Sequence, residues 1–229
     1  MSFKKFLSYI LPSVLELKNG ALTDGLCVVY ENGKHRLSAP NANYSYGGCS
    51  GVFSNVFQEI QFESYNFRSA LILGLGAGGV VSLMGETYGK YPQITGIEGD
   101  PTVVELARKY FEIDRFTNLT IIEADAFEYA ASCVDTYDLI IIDLFVNDIV
   151  PAVFHTREFI ESLRAITEPA SMVIFNKMTH TRALQAEVVL LAQEFERIFE
   201  HVRIVRTVVN DKENSMIVCN TLDPNPDAR

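Results

Sequence analysis

From Arg68 onward, short apolar runs alternate with segments long enough to form helices, and this alternation constrains the fold more than any other feature. The apolar runs are ALILGL, QITGIE, LTIIEA, YDLIIIDLF and SMVIFN. Helices are predicted near 79–88, over 101–111, from Ala126, near 157–166 and near 181–199. Continuous apolar strands such as LIIID suit a parallel sheet that is covered on both faces. The pattern therefore predicts an α/β fold built by βαβ winding.

The C-terminal part of the sequence predicts an antiparallel closure of this sheet. The run HVRIVRTVV, the turn NDKEN and the run SMIVCN read as a β-hairpin. A mostly parallel seven-stranded sheet that ends in such a hairpin is typical of the class I methyltransferase variant of the Rossmann fold. We assign residues 65–222 to this domain and residues 223–229 to a polar tail.

The first 64 residues have a different pattern and predict a small N-terminal β module, residues 1–64. The short runs SVLEL, LCVVY and HRLSA are separated by turn residues. The segment PNANYSYGGCSGVF is rich in Asn, Gly, Ser and Tyr and reads as a loop, either a plain connection or a lid.

Composition and charge narrow the function classes. The chain is 48% hydrophobic, enough for a full core, and no apolar run approaches the roughly 18 residues of a membrane span. A net charge of −10 argues against a nucleic-acid backbone as partner and is compatible with cationic small substrates. The four cysteines lack CxxC spacing and the four histidines lack HxxxH spacing, so we expect reduced thiols and no metal. These features predict a cytoplasmic protein that acts on small molecules, without a membrane or nucleic-acid partner.

A glycine-rich turn follows the first strand of the larger domain. Gly74, Gly76 and Gly79 form G-x-G-x-x-G between a predicted strand and helix, where glycines let a ligand approach the backbone. Glu98 ends the next strand, about 20 residues on, where a carboxylate can accept from ribose hydroxyls. The pair fits a nicotinamide dinucleotide or S-adenosylmethionine (SAM) equally, and glycines placed for packing alone are the alternative.

Two further acids follow predicted strands. Asp125 ends the third and Asp143 the fourth, so with Glu98 they line the carboxyl edge of one sheet. Asp125 could bind an adenine amine or could serve only as a helix N-cap. Asp143 follows LIII, where burial could raise its pKa and a neighbouring cation could lower it. It is the candidate base for holding an amine nucleophile and removing its proton.

Several blocks of the sequence resemble the spermidine synthase family of aminopropyltransferases. They are LILGLGAGG, GIEGDPTVVELARKYF, IIEADAFEYA, and YDLIIIDLF followed by PAVFHTREFIESLR, and they cover most of residues 68–176. The resemblance implies decarboxylated SAM as donor, a small amine as acceptor, and a polyamine and methylthioadenosine as products. It also implies a homodimer formed through the N-terminal strands.

The resemblance also implies roles for individual residues. The glycine turn would face the sulfonium nucleoside, Glu98 would bind ribose, Asp125 would meet the adenine and Asp143 would lie beside the transferred group. The candidate catalytic residues are Asp143, Tyr46 and Asp148, of which Tyr46 and Asp148 are alternatives to Asp143 as proton acceptor if the chain transfers methyl groups. The candidate nucleoside-binding residues are Gly74, Leu75, Gly76, Ala77, Gly78, Glu98, Gly99, Asp125, Ala126 and Asp143.

The chain departs from the family pattern on the side that binds amines. Ala77 stands where the family motif GGGDGG has the acid that holds the donor's free amine. Asp143 is followed by LFVN, so a second acid arrives only at Asp148. Of the family's N-terminal polyamine contacts only Tyr46 has a counterpart, and Arg36 falls near a position usually held by Gln.

Each of these losses removes negative charge, so we expect ordinary SAM or an anionic acceptor to be tolerated better than in a true spermidine synthase. Three readings stay open, in this order: an aminopropyltransferase-like enzyme, a SAM-dependent methyltransferase on the same fold, and a nucleoside-binding protein that has lost catalysis. A nicotinamide enzyme is a more distant fourth.

Overall fold

The computed structural model describes residues 8–40, 43–46, 51–146, 149–209 and 212–220, with the backbone alone for residues 43–46 and 212. Within these ranges seven strands form one sheet in the order β10-β11-β9-β8-β5-β6-β7. Strands β5 to β9 run parallel to one another, and β11 pairs antiparallel with both β9 and β10. The strands are β5 Ser69–Leu73, β6 Gln93–Glu98, β7 Leu119–Glu123, β8 Tyr137–Ile142, β9 Thr167–Met178, β10 His201–Val209 and β11 Lys212–Asn220. The predicted α/β architecture, with its C-terminal hairpin, is confirmed.

Helices cover both faces of this sheet. The described helices are α1 Gly51–Glu59, α2 Gly79–Ser82, α3 Pro101–Phe111, α4 Ala126–Ser132, α5 Arg157–Ala165 and α6 Arg182–Glu196. Alternate strand residues face opposite sides, so Ile72 packs with α1, α2 and α3, whereas Leu71 and Leu73 pack with α4, α5 and α6. The core therefore consists of two apolar layers with the sheet between them.

A second, antiparallel sheet lies at the N-terminus. Its four described strands are β1 Ser13–Lys18, β2 Leu26–Glu31, β3 Lys34–Ser38 and β4 Asn43–Tyr46, in sequence order. Strand β1 is joined to α3 by the ion pairs Lys18–Glu105 and Lys109–Glu16, both with N–O distances of 2.6 Å. The β module thus rests on the helix that follows the second strand of the large sheet.

Three sequence predictions need correction. The stretch expected to be a loop contains β4 and the start of α1, whose Phe53, Val56 and Phe57 are buried at helical spacing. The helix expected near 79–88 is α2 followed by a π-helical turn, Leu83–Thr87. Strand β9 begins at Thr167, four residues before the run SMVIFN that predicted it.

The domain limits at residues 64 and 222 stay predictions, although α1, inside the N-terminal range, packs against β10 of the large sheet. The polar tail, residues 223–229, lies outside the described residues. No helix in the described ranges is long and apolar enough to cross a lipid bilayer.

Candidate functional site

The glycine turn after β5 is held in a conformation that requires glycine. Gly74, Gly76 and Gly78 have φ angles of 87°, 56° and 80°. Gly79 is the first residue of α2, so the third residue that must be glycine is Gly78, not the Gly79 of the G-x-G-x-x-G pattern. A Cβ at Gly74 would lie 2.3 Å from the carbonyl oxygen of Asp143. The turn therefore lies directly against the carboxyl end of β8.

The Glu98 side chain is hydrogen-bonded to the backbone of this turn and of the residue that precedes the next helix. Its Oε2 accepts a hydrogen bond from the Gly76 N–H at 2.9 Å, and its Oε1 accepts from the Asp100 N–H at 3.0 Å. Burial raises the pKa of Glu98, and the backbone N–H groups of Asp100 and Gly76 work in the opposite direction. The ribose contact expected for this carboxylate stays a prediction, and in the structure Glu98 fixes the backbone of the turn.

Asp125 is a helix cap in this structure. Its Oδ1 accepts from the N–H groups of Phe127 and Glu128, at 2.9 and 3.0 Å, at the start of α4. The side chain is exposed at the sheet edge, and Ala126 beside it is buried. Gly99 packs under Leu22 of the β1–β2 loop, where a Cβ would lie 3.0 Å from the leucine Cδ1. The adenine contact for Asp125 stays a prediction alongside this capping role.

Asp143 lies just beyond β8, and its carboxyl group has a raised pKa. The residue is half-buried, but its carboxyl group lies within the protein, and burial raises its pKa to about 6. The Asn176 side chain donates to its Oδ1 at 2.8 Å, which works to lower the pKa. No described cation pairs with Asp143, so burial dominates and the alternative of a lowered pKa is excluded for the described residues.

Sequence reasoning missed the amides behind Asp143. Asn176 on β9 and Asn214 on β11 are both buried, and Asn214 Nδ2 donates to Asn176 Oδ1 at 3.0 Å. Asn176 gave the same signal as the acids, since it is the polar residue that ends the run SMVIFN. Asn214 gave none, because its pairing with Asn176 depends on the register between β11 and β9.

A cleft of about 410 Å³ opens beside the glycine turn. Its wall includes Ala77, residues of β3, α2 and the end of α3, and the turn that follows α3, among them Lys34, His35, Ser82, Tyr110 and Arg115. The Arg115 guanidinium already donates to Glu86 at 2.7 Å and to Ser82 at 3.1 Å. Ala77 itself is buried and brings no charge to the turn.

Two predicted catalytic residues remain predictions. Tyr46 is the last residue of β4, and its backbone pairs with Arg36 on β3. Arg36 forms an ion pair with Glu31 at 3.1 Å. Asp148 lies outside the described residues. Among the residues that the structure does describe, no group of three His, Cys, Asp or Glu side chains is placed to hold a metal ion.

A buried lysine lies on the opposite face of β9 from Asn176. Lys177 is 3% exposed, and its Nζ lies 3.2 Å from Glu187 on α6 and 3.5 Å from His155 Nε2. Burial and the Lys177 charge lower the pKa of His155. The contact between Lys177 and His155 holds the segment that leads into α5 against β9.

Residues 55–226 match the family model "Spermine/spermidine synthase domain". The chain belongs to this family. The resemblance drawn from the sequence blocks is thereby confirmed.

The curated proteins that this chain matches include two kinds of transferase. A probable polyamine aminopropyl transferase of Bifidobacterium longum is 28% identical over 129 residues, which is 56% of this chain and 28% of that protein. An eEF1A lysine and N-terminal methyltransferase homolog of Drosophila melanogaster is 24% identical over 131 residues, 52% of this chain and 19% of that protein. The chain therefore spans well under half the length of these relatives.

Among solved structures, a spermidine synthase in complex with the transition state analogue AdoDATO superposes with a TM-score of 0.72. The match has 16% sequence identity and covers 92% of this chain and 75% of that one. At this identity the likeness shows a shared fold.

Proposed function

We propose that this chain binds a SAM-type sulfonium nucleoside at the carboxyl edge of its large sheet and transfers an aminopropyl group from decarboxylated SAM to a small amine. The observation that carries the proposal is the Asp143 carboxyl, whose pKa burial raises to about 6, on a residue whose backbone carbonyl lies against the glycine turn. Membership of the spermine/spermidine synthase family supports the same reaction class.

The nucleoside would lie across the turn and the adjoining strand ends. The Glu98 carboxylate accepts from the backbone N–H groups of Gly76, Asp100 and Gly99, and its fourth lone pair is left for a ribose hydroxyl. The cap at Asp125 uses Oδ1, which leaves Oδ2 for the exocyclic amine of adenine. The positive-φ glycines let the nucleoside approach the backbone without a side chain between them.

In the transfer step, Asp143 acts on the nucleophile, which is the acceptor amine. The nitrogen lone pair of the amine attacks the aminopropyl carbon that is bonded to the sulfonium sulfur. A C–N bond forms, and the bonding pair of the broken C–S bond returns to sulfur to give neutral methylthioadenosine. Asp143 holds the amine, accepts the proton that it must lose and stabilises positive charge near the reacting centre. With a pKa of about 6 the carboxyl is mostly ionised above neutral pH and can accept this proton.

Methyl transfer from SAM is the second candidate, and Ala77 favours it. A carboxylate at this position would repel the carboxylate of SAM, and alanine removes that repulsion. The similarity to a methyltransferase homolog supports the same alternative.

Product analysis separates the candidates. The protein is incubated with decarboxylated SAM or SAM and a panel of diamines and polyamines, and products are identified by mass spectrometry. Methylthioadenosine together with an aminopropylated amine supports the proposal, whereas S-adenosylhomocysteine with a methylated acceptor supports methyl transfer. Nucleoside binding in a thermal-shift assay without any product would contradict both and indicate a binding protein.

The variant Asp143→Asn tests the assigned base. It should lower turnover by at least about 100-fold while nucleoside binding persists, because it keeps the shape and removes the charge. Asp135→Asn, an exposed carboxylate just before the opposite end of β8, is the matched control and should leave turnover unchanged.

A further inference from the structure

A row of polar side chains crosses three strands behind the Asp143 carboxyl. Asn214 on β11 donates from Nδ2 to Oδ1 of Asn176 on β9, at 3.0 Å. Asn176 donates from its own Nδ2 to Oδ1 of Asp143, at 2.8 Å. Both amides are 5% exposed, so water does not compete freely for their hydrogen-bonding groups.

The polarity of this row follows from the chemistry of an amide. A carboxamide has an oxygen that only accepts and a nitrogen that only donates, and they lie at opposite ends of one rotor. Because Asn214 supplies a donor to the oxygen of Asn176, the nitrogen of Asn176 must face Asp143. The orientation of the Asn214 amide therefore decides whether Asp143 meets the donor or the acceptor of the Asn176 amide.

We propose that Asn214 is a positioning residue that acts through Asn176, locking the Asn176 amide so that Asp143 always meets a donor and is held as an oriented carboxylate. One oxygen of Asp143 is then fixed by Asn176, and the other is left for the acceptor amine. The use of that carboxylate in catalysis rests on the proposed function, whereas the locking of the amide does not.

The surroundings of the row contain no described charge that could take over this role. Thr207, the cross-strand neighbour of Asn214 on β10, is neutral and accepts from Asn55 on α1 at 2.8 Å. Lys177, the nearest buried cation along β9, points to the other face of the sheet, where it meets Glu187 and His155. Only burial and the Asn176 hydrogen bond shift the pKa of Asp143.

The test reverses the polarity of the row. In Asn214→Asp the ionised form of the new carboxyl can only accept, so it draws the nitrogen of Asn176 toward itself and turns the amide oxygen toward Asp143. Asp143 must then carry a proton to donate to that oxygen. We expect its pKa, followed by carbon-13 NMR of the side-chain carboxyl in the ligand-free protein, to rise by about 1 or more. The resonance is assigned by its loss in Asp143→Asn.

A double variant separates amide rotation from simple charge repulsion. In the Asn176→Leu background the relay is absent while the added charge at position 214 remains. The rise caused by Asn214→Asp should be much smaller in this background. An equal rise in both backgrounds would mean that charge acts through space and would overturn the proposal.

A neutral variant covers the case in which Asn214→Asp does not fold. Asn214→Leu removes the donor without demanding the opposite orientation, so Asn176 samples both and the pKa of Asp143 should rise by a smaller amount. An unchanged pKa in Asn214→Leu would overturn the proposal.

The kinetic readout keeps the two proposals distinguishable. If the chain transfers aminopropyl groups, the acid limb of its kcat/KM profile should move by the same amount as the NMR pKa in each variant. An NMR shift in a protein that shows no transfer with any amine would refute the proposed function and leave the relay standing.

Discussion

At the scale of single residues, Asp143 shows how burial alone prepares a carboxyl group for work near neutral pH. Burial raises its pKa to about 6, and the single described hydrogen bond, from Asn176, only partly offsets this. A carboxylate with a cation beside it would instead be ionised well below neutral pH. The absence of a described cation partner is therefore part of the site's chemistry.

The raised pKa of Asp143 predicts a pH-dependent gain in stability when the residue is neutralised. The folded pKa, about 6, lies above the ordinary value of 3.8, so the contribution of Asp143 to stability is present at low pH and lost as pH rises through 6. Asp143→Asn does not titrate. Its free energy of unfolding relative to wild type should rise by about 2 to 3 kcal/mol between pH 4 and pH 7.

Urea denaturation at a series of pH values measures this difference, and Asp135→Asn should run parallel to wild type throughout. A stability difference for Asp143→Asn that stays constant with pH would contradict the raised pKa.

Glu98 predicts a second effect at the residue scale. In Glu98→Gln one carboxylate oxygen becomes an NH₂ group, which must face the N–H of either Gly76 or Asp100. One buried donor then loses its acceptor, so we expect a loss of about 1 to 3 kcal/mol in the free energy of unfolding without ligand. Chemical denaturation measures the loss, and Glu123→Gln, at an exposed position on the neighbouring strand, should cost little. Equal stability of the Glu98 variant and wild type would contradict this clamp on the turn.

At the scale of elements, the glycine turn and the end of β8 determine each other's position. Gly74 has a φ of 87° and lies against the Asp143 carbonyl, which leaves no room for a methyl group. The strand that carries Asp143 therefore reaches the site only because the facing turn has no side chain there.

Two alanine substitutions test this contact. Gly74 and Gly89 both have positive φ angles, 87° and 62°, but a Cβ at Gly89 would meet nothing within 4 Å. Gly89→Ala should cost about 1 to 2 kcal/mol from backbone strain alone. Gly74→Ala adds the clash with Asp143 and should cost at least about 2 kcal/mol more. Thermal or urea unfolding measures both, and equal costs would mean that the contact is not tight.

The sequence predicted the elements of the large sheet because each is local. Runs such as LIIID are buried on both faces, and Asp100 followed by Pro101 predicts a helix start at the place where α3 begins. It did not predict β4, a four-residue strand that pairs with β3 next to Asn and Gly residues that favour a loop. Helix α1 was missed because it begins inside the same stretch of Asn and Gly residues that favours a loop.

The candidate site was also predictable where its residues follow local sequence patterns and not where they depend on contacts between elements. Glu98, Asp125 and Asp143 each follow an apolar run, and parallel strands bring their ends to one edge. The Asn214–Asn176 contact comes from strand register, and the N–H partners of Glu98 come from the path of the turn. Neither register nor path is encoded in a local pattern.

At the scale of the whole molecule, Asp100 connects the small sheet to the large one. Its Oδ1 caps α3 by accepting from Thr102 N–H at 2.9 Å, and its Oδ2 accepts from Leu22 N–H at 3.0 Å. Burial raises its pKa, but the N–H groups of Leu22, Ala21 and Thr102 outweigh burial and hold the pKa below its usual value. One carboxylate thus fixes both a helix start and the β1–β2 loop.

This double role predicts a larger loss than an ordinary helix cap gives. Asp125→Ala removes only the cap of α4 and should cost about 1 kcal/mol. Asp100→Ala removes the cap of α3 and leaves the loop N–H groups without their acceptor, so it should cost about 2 to 4 kcal/mol. Hydrogen exchange should show faster opening of β1 and β2 in the Asp100 variant alone. Unchanged protection of these strands would contradict the connection.

The hydrogen bonds that Glu98 accepts from Gly76 and Asp100 have a consequence for how a ligand meets this edge of the sheet. The ligand-free chain already keeps the turn in one shape, so an incoming molecule does not have to restrict the backbone itself. The configurational entropy of the turn is therefore lost during folding and not during association. Recognition at this edge is then close to rigid docking, and differences in residence time between molecules should reflect their contacts with the loops around it.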